Sequence, residues 1–477
     1  MHRRLCLLIP ALLLLVGVAR AADGPNSGGP PNVVIVFADD LGYGDFGCFG
    51  SKTNPTPHID RLAEEGAMLT DFLVGQAVCS ASRAALLTGR YPSRVGVYGA
   101  FGPGSEGMAA EEVTLAELLK TAGYATGCFG KWHLGDVDGH WPTDQGFDEY
   151  YGLPYSNDMW TADPRFPLWP KGRRNWYSRF PDLPLVAGTA EDGISVVNAD
   201  VQAADQAELT ASYTSRAVDF IERHADGPFF CYVPHSMPHV PIYASERFAG
   251  STGNGVYADV IAEIDWSVGE IVATLDRLGL SDNTWVVVTS DNGPWLEFGN
   301  HAGSSGPLRE GKQTSFDGGC RVPCVMRWPG VIPAGVTIDT LTSTMDLLPT
   351  VAAAAGIALP GDRVIDGHDI TPVLGGETDV TPWDAFYCYW GLNLQAIRTE
   401  DWKLHRPHRF KTIIEPGIDG IPGKTRQIDL GLSLFDMRNG VGERVDVAAD
   451  HPDVVARLQA HADEAIALFG DETKRPR

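Results

Sequence analysis

The chain has 477 residues, of which 44% are hydrophobic, and its formal net charge is -24. This acidity excludes nucleic acid as a partner, because binding a phosphate backbone requires a clustered basic surface. The length exceeds the usual size of one domain, so one large domain with a smaller one is the expected organisation.

The first 21 residues have the composition of a secretory signal peptide. A charged start and the apolar run Leu5–Val18 precede Ala19-Arg20-Ala21, a small-x-small cleavage site. The run is shorter than the roughly 20 residues of a membrane span, so we expect export, secreted or periplasmic, without membrane insertion. The mature chain would begin near Ala22, and the Gly/Pro-rich residues 22–31 predict a flexible segment.

Cleavage would also remove Cys6 and leave seven cysteines, an odd number that cannot all pair within the chain. Cys320 and Cys324 are not expected to pair with each other in an extended segment, because four residues of strand span about 13 Å. At least one cysteine therefore has another role.

Four apolar runs predict buried parallel strands, and polar side chains follow each of them. Ligands of open α/β sheets bind beyond the carboxyl ends of the strands, so we expect these side chains to converge on one site. The predicted strands and the residues that follow are Asn32–Ala38 before Asp39 and Asp40, Tyr124–Phe129 before Lys131 and His133, Pro228–Val233 before His235 and His239, and Thr284–Thr289 before Asp291 and Asn292.

Helical patterns alternate with these strands. One begins at Thr56-Pro57 and another runs from Thr114 to Gly123. The longest keeps a 3.6-residue period from Val256 until Gly279 ends it. This alternation predicts an α/β domain, residues 32–382, with a mainly parallel sheet sandwiched by helices.

The pattern changes from about Trp383, where short strand-like segments replace the long apolar runs. We predict a small C-terminal α+β subdomain, residues 383–477, packed on the large domain. Its predicted elements are the strands Phe386–Tyr389, Leu394–Arg398 and Trp402–His405, a Gly/Pro-rich loop Pro416–Lys424, and a helix from Pro452 to Leu468.

The segment Cys79–Arg90, CSASRAALLTGR, predicts a short helix that begins near Cys79 and ends at Gly89. The N–H groups and dipole of a helix N-terminus favour an anion, and Arg83, one turn later on the same face, adds a cation. A lone cysteine there is more often a buried structural thiol than a catalyst. The residues around Cys79 instead favour a catalytic cysteine.

These residues resemble C-x-(P/A)-S-R-x-x-x-(L/T)-T-G-R, the signature of the type I, formylglycine-dependent sulfatases, with Ala81 where proline is more common. The resemblance covers nearly the whole chain and implies an alkaline-phosphatase-like fold and a sulfuric ester hydrolase. It extends to NVVIVFADDLGYGD at Asn32–Asp45, GKWHLG at Gly130–Gly135, PHSMPH at Pro234–His239, SDNG at Ser290–Gly293, GKQTSFDGG at Gly311–Gly319 and SLFDM at Ser433–Met437. The loop Gly152–Asp158, GLPYSND, is similar to that of the arylsulfatase A and N-acetylgalactosamine-6-sulfatase branches.

The resemblance implies two cofactors. A formylglycine-generating maturation enzyme would oxidise Cys79, and one hydroxyl of the formylglycine hydrate would attack sulfur to give a covalent sulfo-enzyme. Hard oxygen ligands would bind Ca²⁺, with Mg²⁺ as the alternative. The metal ligands would be Asp39, Asp40, Asp291 and Asn292.

The resemblance also assigns the cationic side chains, for a substrate that is a sulfated small molecule or glycan. Arg83 and Lys131 would hold the formylglycine and sulfate oxygens. His239 with Lys312 would protonate the departing alcohol, and His133 would deprotonate the second hydroxyl to release sulfate.

The sequence determines the roles of three further residues, Ser156, Asn157 and His235, less fully. Ser156 matches a substrate-binding serine of the family, whereas the next residue is Asn157 where a histidine is frequent. His235 competes with His239 and is assigned a supporting role, because the P-H-x-P context of His239 matches better.

Two other functions stay open at this point. Phosphonate monoester and phosphodiester hydrolases share the fold, although the GKWHLG and SDNG segments favour a sulfatase. A sulfoglycan-binding protein without turnover is disfavoured because each expected site residue is present. In the insertion Asp158–Leu185, the side chains of Trp160, Trp169 and Trp176 either stack on a sugar ring or hold a long loop in place.

Overall fold

The computed structural model describes residues 29–469. The predicted signal peptide, residues 1–21, lies outside the described residues, as does most of the segment 22–31. Within residues 29–469, no helix has the length and apolar character needed to cross a membrane.

A large sheet of eleven strands forms the centre of the molecule, and ten helices accompany it in the described chain. The strands are β1 (Asn32–Ala38), β2 (Ala67–Leu73), β3 (Ala125–Phe129), β4 (Glu149–Gly152), β5 (Leu185–Thr189), β6 (Gly193–Asn198), β7 (Phe229–Val233), β8 (Thr284–Ser290), β9 (Arg321–Arg327), β10 (Val336–Ile338) and β11 (Thr342–Ser343). The helices are α1 (Pro57–Glu65), α2 (Cys79–Thr88), α3 (Leu115–Lys120), α4 (Lys171–Tyr177), α5 (Ala203–Ala207), α6 (Leu209–Arg223), α7 (Val256–Leu278), α8 (Asp317–Cys320), α9 (Leu347–Ala354) and α10 (Thr371–Leu374).

The sheet is mixed but parallel at its centre. Its order is β10-β2-β9-β8-β1-β7-β3-β4-β5-β6, with β11 beside β2. The five strands from β8 to β4 in that order are parallel neighbours, whereas β9 on one side and β5 and β6 on the other are antiparallel. The four predicted strands are the central β1, β3, β7 and β8, so their carboxyl ends lie at one edge, as expected.

Both faces of the sheet are covered by helices. Successive residues of a strand point to opposite faces, so they belong to different hydrophobic clusters. Val33, Ile35 and Phe37 belong to one hydrophobic cluster, which contains apolar residues of α2, α3 and α9. Val34 and Val36 belong to a second cluster with residues of α1, α6 and α7. This arrangement confirms the predicted α/β sandwich.

The C-terminal region forms a second, antiparallel sheet. Its order is β12-β13-β14-β17, and a separate hairpin is inserted between β14 and β17. Val454, Leu458 and Ala462 of the last helix pack on apolar residues of this sheet. The elements are β12 (Phe386–Trp390), β13 (Asn393–Arg398), β14 (Trp402–His405), the hairpin strands β15 (His408–Glu415) and β16 (Lys424–Leu430), β17 (Ser433–Asp436) and α11 (Pro452–Phe469).

Two features differ from the sequence prediction. The insertion after Asp158 was expected to be a loop but contains the short helix α4, whose Tyr177 is buried. The segment Pro416–Lys424 turns between the two strands of a hairpin that the sequence pattern did not indicate. The seven cysteines of the described chain are all unpaired.

Candidate active site

The ends of β1 and β8 are tied together by backbone groups. The N–H of Asp291 donates to the carbonyl of Ala38 at 3.0 Å, and the N–H of Asp40 donates to Oδ1 of Asp291 at 3.0 Å. Asp40 adopts a left-handed conformation, φ 64°, which turns the chain out of the strand. The two pairs of predicted metal ligands therefore meet at one point.

The end of β3 is held against the segment after β7. The N–H of Lys131 donates to the carbonyl of Pro234 at 2.7 Å. Gly130 has φ 148°, and a Cβ at this position would lie 2.0 Å from the same carbonyl oxygen. Only glycine fits this close approach. The contact therefore determines where Lys131 and His133 leave the strand end.

The segment carrying Lys312 packs on the end of β8. The N–H of Lys312 donates to the carbonyl of Pro294 at 3.0 Å, and the N–H of Gly293 donates to the carbonyl of Gly319 at 2.9 Å. A Cβ at Gly293 would lie 1.8 Å from the carbonyl oxygen of Gly318. The SDNG and GKQTSFDGG segments are thus one packed unit.

An oxygen-rich cluster fills the centre of the site. Ligand atoms of Asp39, Asp40, Cys79 and His239 lie within 4.8 Å of one another, and all four residues are buried. Oδ2 of Asp40 and Oδ1 of Asn292 are buried without a hydrogen-bond partner among the described residues. Unpaired buried oxygens are costly, and a hard cation such as Ca²⁺ or Mg²⁺ satisfies them.

Asp291 lies beside this cluster but is not part of it. Its Oδ1 accepts from the N–H of Asp40, and its Oδ2 accepts from Nη2 of Arg83 at 2.9 Å. Burial, together with the neighbouring carboxylate of Asp39, raises the pKa of Asp291. A divalent cation would relieve this repulsion, so the residues present fit the predicted metal.

Cys79 begins α2, and Gly89 ends the helix in the left-handed conformation, as predicted. Its Sγ lies 3.4 Å from Oδ1 of Asp39 and 3.2 Å from Nζ of Lys312. Burial and the Asp39 carboxylate raise the pKa of the Cys79 thiol. The reactive thiolate is therefore disfavoured, which argues against the unmodified thiol as a nucleophile.

Three buried cations surround the cluster. Nη1 of Arg83 donates to the carbonyl of Lys131 at 2.7 Å, while Nζ of Lys131 contacts the Asp39 carboxylate and donates to Oγ of Ser156 at 3.2 Å. Nζ of Lys312 lies 2.6 Å from Oδ1 of Asp40. Burial lowers the pKa of Lys312, but the surrounding acidic groups, Asp40 foremost and then Cys79 and Asp39, together raise it, so this amine is charged.

His133 is placed to accept a proton. Its Nε2 lies 2.9 Å from the carbonyl oxygen of Phe101 and must donate to it, which leaves the lone pair on Nδ1. Nδ1 is buried and has no hydrogen-bond partner in the described chain. Burial and the nearby Lys131 lower the pKa of His133, so the ring is neutral.

His239 and His235 face different surroundings. Nδ1 of His239 donates to the carbonyl of Val240 at 2.6 Å, and its Nε2 lies 3.5 Å from Oδ2 of Asp40. Burial and Lys312 lower the pKa of His239. His235 instead contacts Oγ of Ser267 at 3.1 Å, on α7, and does not join the cluster.

Asn157, which departs from the family pattern, holds the His239 loop in place. Its Nδ2 donates to the carbonyls of His239 and Pro241 at 3.2 and 3.1 Å and to Oε1 of Gln206 at 3.1 Å. The amide of Asn157 thus supports the backbone of the loop that carries His239.

Two tryptophans of the insertion are core residues, whereas a tryptophan outside the insertion contacts the site. Trp160 and Trp169 are 2% and 4% exposed and pack in the second hydrophobic cluster, so they hold the loop. The ring centroid of Trp295 lies 5.4 Å from that of His239 and 4.8 Å from Nζ of Lys312. The sequence signal that could have identified Trp295 is its position two residues after the SDNG segment.

A second buried charge network lies beneath the Lys312 segment and was not predicted. Nζ of Lys403 lies 2.6 Å from Oδ1 of Asp317 and 3.2 Å from Oε1 of Glu443. Glu443 also accepts from the N–H of Asp317 at 2.7 Å and contacts Nε2 of His405 at 2.7 Å. The alternation of Lys403 and His405 along a predicted strand was the only sequence signal for it.

Comparisons with known proteins cover nearly the whole chain. The family model described as sulfatase matches residues 31–357, and that described as N-sulphoglucosamine sulphohydrolase, C-terminal, matches residues 311–413. N-acetylgalactosamine-6-sulfatase of Canis lupus familiaris is 40% identical, covering 94% of this chain and 88% of its own. Arylsulfatase A of Homo sapiens is 39% identical, covering 79% and 75%. The crystal structure of the PsFucS1 sulfatase from Pseudoalteromonas sp. is similar at 29% identity with a TM-score of 0.82, covering 92% of this chain and 90% of that one.

Proposed function

Because this chain belongs to the sulfatase family and is a sulfuric ester hydrolase, we propose that it removes sulfate from a sulfated carbohydrate by means of formylglycine at position 79 and a covalent sulfo-enzyme. The observation that carries this proposal is the placement of the buried Cys79 between Asp39 and Lys312, in a cluster with unpaired oxygens. The relatives include steryl-sulfatases and N-acetylgalactosamine-6-sulfatases, and the latter name supports a carbohydrate ester.

Two groups outside the standard side chains complete the proposed site. Formylglycine hydrate supplies a hydroxyl nucleophile that the thiol of Cys79 lacks. Asp39, Asp40, Asp291 and Asn292 would hold a Ca²⁺ or Mg²⁺ ion, which would supply positive charge for binding the sulfate. The buried oxygens of these four residues are the donor type that such an ion prefers.

The protein's own cations bind and orient the sulfate. Lys131 follows β3 and contacts Asp39, whereas Lys312 lies in the segment before α8 and contacts Asp40. Arg83 holds Lys131 through its carbonyl and Asp291 through its carboxylate. Fixed charges in a buried site stabilise the sulfate more than mobile groups in water would, and require no reorganisation during reaction.

Proton transfer is divided between two sides of the site. Lys312 is charged and lies beside Cys79, and with His239 it faces the departing alcohol, which needs a proton as the ester bond breaks. His133 is neutral, with a free lone pair on Nδ1, and acts as the base that promotes release of sulfate. This division assigns acid and base roles to groups with different charge states.

The proposal includes export and maturation. The signal-like N-terminus predicts an exported protein, and a formylglycine-generating enzyme would act on Cys79 before folding, because the folded site buries that side chain. The maturation enzyme is therefore a transient partner of the unfolded chain.

The test combines mass and activity. We expect a peptide containing residue 79 to show the mass of formylglycine, and the purified enzyme to have a higher kcat/KM for an aryl sulfate than for an aryl phosphodiester. Cys79→Ala should abolish turnover, while Cys48→Ala, which changes a partly buried cysteine that is not one of the cluster residues, serves as the control. A higher kcat/KM for the phosphodiester, or turnover by Cys79→Ala, would contradict the proposal. Sulfated saccharides assayed next would identify the natural ester.

A further inference from the structure

We propose that Trp295 forms a ring-binding subsite for the leaving group, in which the indole stacks on the sulfated pyranose of the substrate. This inference rests on the proposed function, because it concerns the alcohol that remains when sulfate departs. It names a specificity determinant for that reaction.

The position of Trp295 places it next to the ester bond. It follows the carboxyl end of β8, five residues after Ser290. Its ring centroid lies 5.4 Å from the ring of His239, at an interplanar angle of 56°, and 4.8 Å from Nζ of Lys312. The proposed function places these two groups against the departing alcohol. The alcohol must therefore pass beside the indole.

The indole is held in one orientation by its other neighbours. The ring of Phe298 packs edge-on at a centroid distance of 4.9 Å, and the guanidinium of Arg173, on α4, lies 5.3 Å from the indole. Arg173 is itself fixed by Glu297, at 2.9 Å. A fixed aromatic side chain loses little conformational entropy when it binds a ring.

Exposure distinguishes Trp295 from the other tryptophans near the site. Trp160 and Trp169 are buried, and Trp169 uses its Nε1 to donate to the carbonyl of Gly420 at 3.0 Å. Trp295 is half-buried, so part of its surface is free to contact a ligand. Trp176 is 54% exposed, and the guanidinium of Arg179 lies over its ring at 5.0 Å.

The chemistry of the remaining site explains why such a residue is needed. Arg83, Lys131 and Lys312 recognise the sulfate, which is the same in every sulfate ester. Discrimination must come from contacts with the alcohol, and an indole face attracts the C–H face of a pyranose or a flat aromatic ring. Trp295 is the aromatic side chain of the described chain that contacts both His239 and Lys312.

The experiment compares ring and acyclic substrates in variants of the mature enzyme. For Trp295→Leu we expect kcat/KM to fall about tenfold with a sulfated monosaccharide and with 4-nitrophenyl sulfate, mainly through KM. An acyclic alkyl sulfate and inhibition by inorganic sulfate should change less than about twofold. Trp295→Phe should retain most ring-dependent activity. Trp176→Leu, an exposed tryptophan in the neighbouring insertion, is the matched control and should be unchanged.

Fluorescence gives a second measurement that does not need turnover. In Cys79→Ala, binding of 4-nitrophenyl sulfate should quench tryptophan emission strongly, and the additional change Trp295→Phe should remove most of that quenching. Equal losses for ring and acyclic sulfates, unchanged ring activity in Trp295→Leu, or quenching that persists without Trp295 would each overturn the subsite. Absence of turnover with every sulfate ester by the wild type would instead overturn the proposed function.

Discussion

His133 shows how burial selects the charge state of one residue. Burial and Lys131 lower its pKa below the ordinary 6.5 of histidine, so the neutral ring, which is the form able to accept a proton, persists into acid. We therefore expect the acid limb of the kcat pH profile to lie below pH 6.5. His133→Gln should remove this limb and reduce kcat by about 10²- to 10⁴-fold. A limb that stays in place in His133→Gln would assign it to another group.

Asp291 leads to a prediction about metal removal. Its pKa is raised in the folded chain without an ion, so the folded state binds more protons than the unfolded state above pH 3.8. Its contribution to stability therefore falls as pH rises from that value. In chelator, Asp291→Asn should become more stable relative to wild type as pH increases, because the variant lacks this charge.

The same substitution should have the opposite effect with calcium present. Wild type should gain more free energy of unfolding than Asp291→Asn on addition of Ca²⁺, because a ligand charge is lost in the variant. Denaturant unfolding at several pH values, with chelator and with Ca²⁺, measures both effects. Equal stabilisation of the two proteins by Ca²⁺ would show that Asp291 does not bind the ion.

At the scale of elements, the C-terminal sheet supports the segment that carries Lys312. Lys403 on β14 is fully buried between Asp317 on α8 and Glu443, and these carboxylates raise its pKa although burial lowers it. Lys403→Met would leave two buried carboxylates without their cation. We expect the free energy of unfolding to fall by about 3–5 kcal/mol, and kcat to fall because α8 continues from the Lys312 segment.

The control for this prediction is a lysine of similar length in an exposed pair. Lys424→Met removes an ion pair with Glu415 in which the lysine side chain is 70% exposed, and should cost about 1 kcal/mol or less. Urea unfolding and steady-state kinetics of both variants provide the comparison. A Lys403→Met protein with normal kcat would show that the C-terminal sheet does not position the site.

The elements that could be predicted from the sequence are those with a local signal. β1 is a continuous apolar run, and Gly89 and Gly279 end α2 and α7 with the left-handed conformation that glycine allows. β2 and β9 contain polar residues and pair antiparallel across more than 200 residues, so no local pattern indicates them. Long-range pairing of this kind depends on the whole fold.

The same distinction applies to the site. Asp39, Asp40, Asp291 and Asn292 follow strands whose ends must meet, so their convergence was predictable. The contacts of Trp295 depend on how the Lys312 segment and α4 pack around it, and no periodicity encodes that packing. Trp160 and Trp169 were equally visible in the sequence, but their burial gives them a role in the core.

At the scale of the whole molecule, the chain and its proposed substrate are both negatively charged and repel each other. The formal net charge is -24, while Arg83, Lys131 and Lys312 are buried and paired with carboxylates, so their positive charge is short-ranged. A sulfated substrate should therefore be repelled at a distance and attracted only on contact. Salt shortens the range of this repulsion, to about 10 Å at 0.1 M.

We expect kcat/KM for a sulfated oligosaccharide to rise between low and moderate salt, because screening removes more of the long-range repulsion than of the buried attraction. The rise should be smaller for a singly charged aryl sulfate, since the repulsion scales with substrate charge. Steady-state kinetics of both substrates over a series of NaCl concentrations measure the effect. A kcat/KM for the oligosaccharide that falls with salt would reveal an exposed basic surface that guides the substrate, contrary to the buried placement of the site cations.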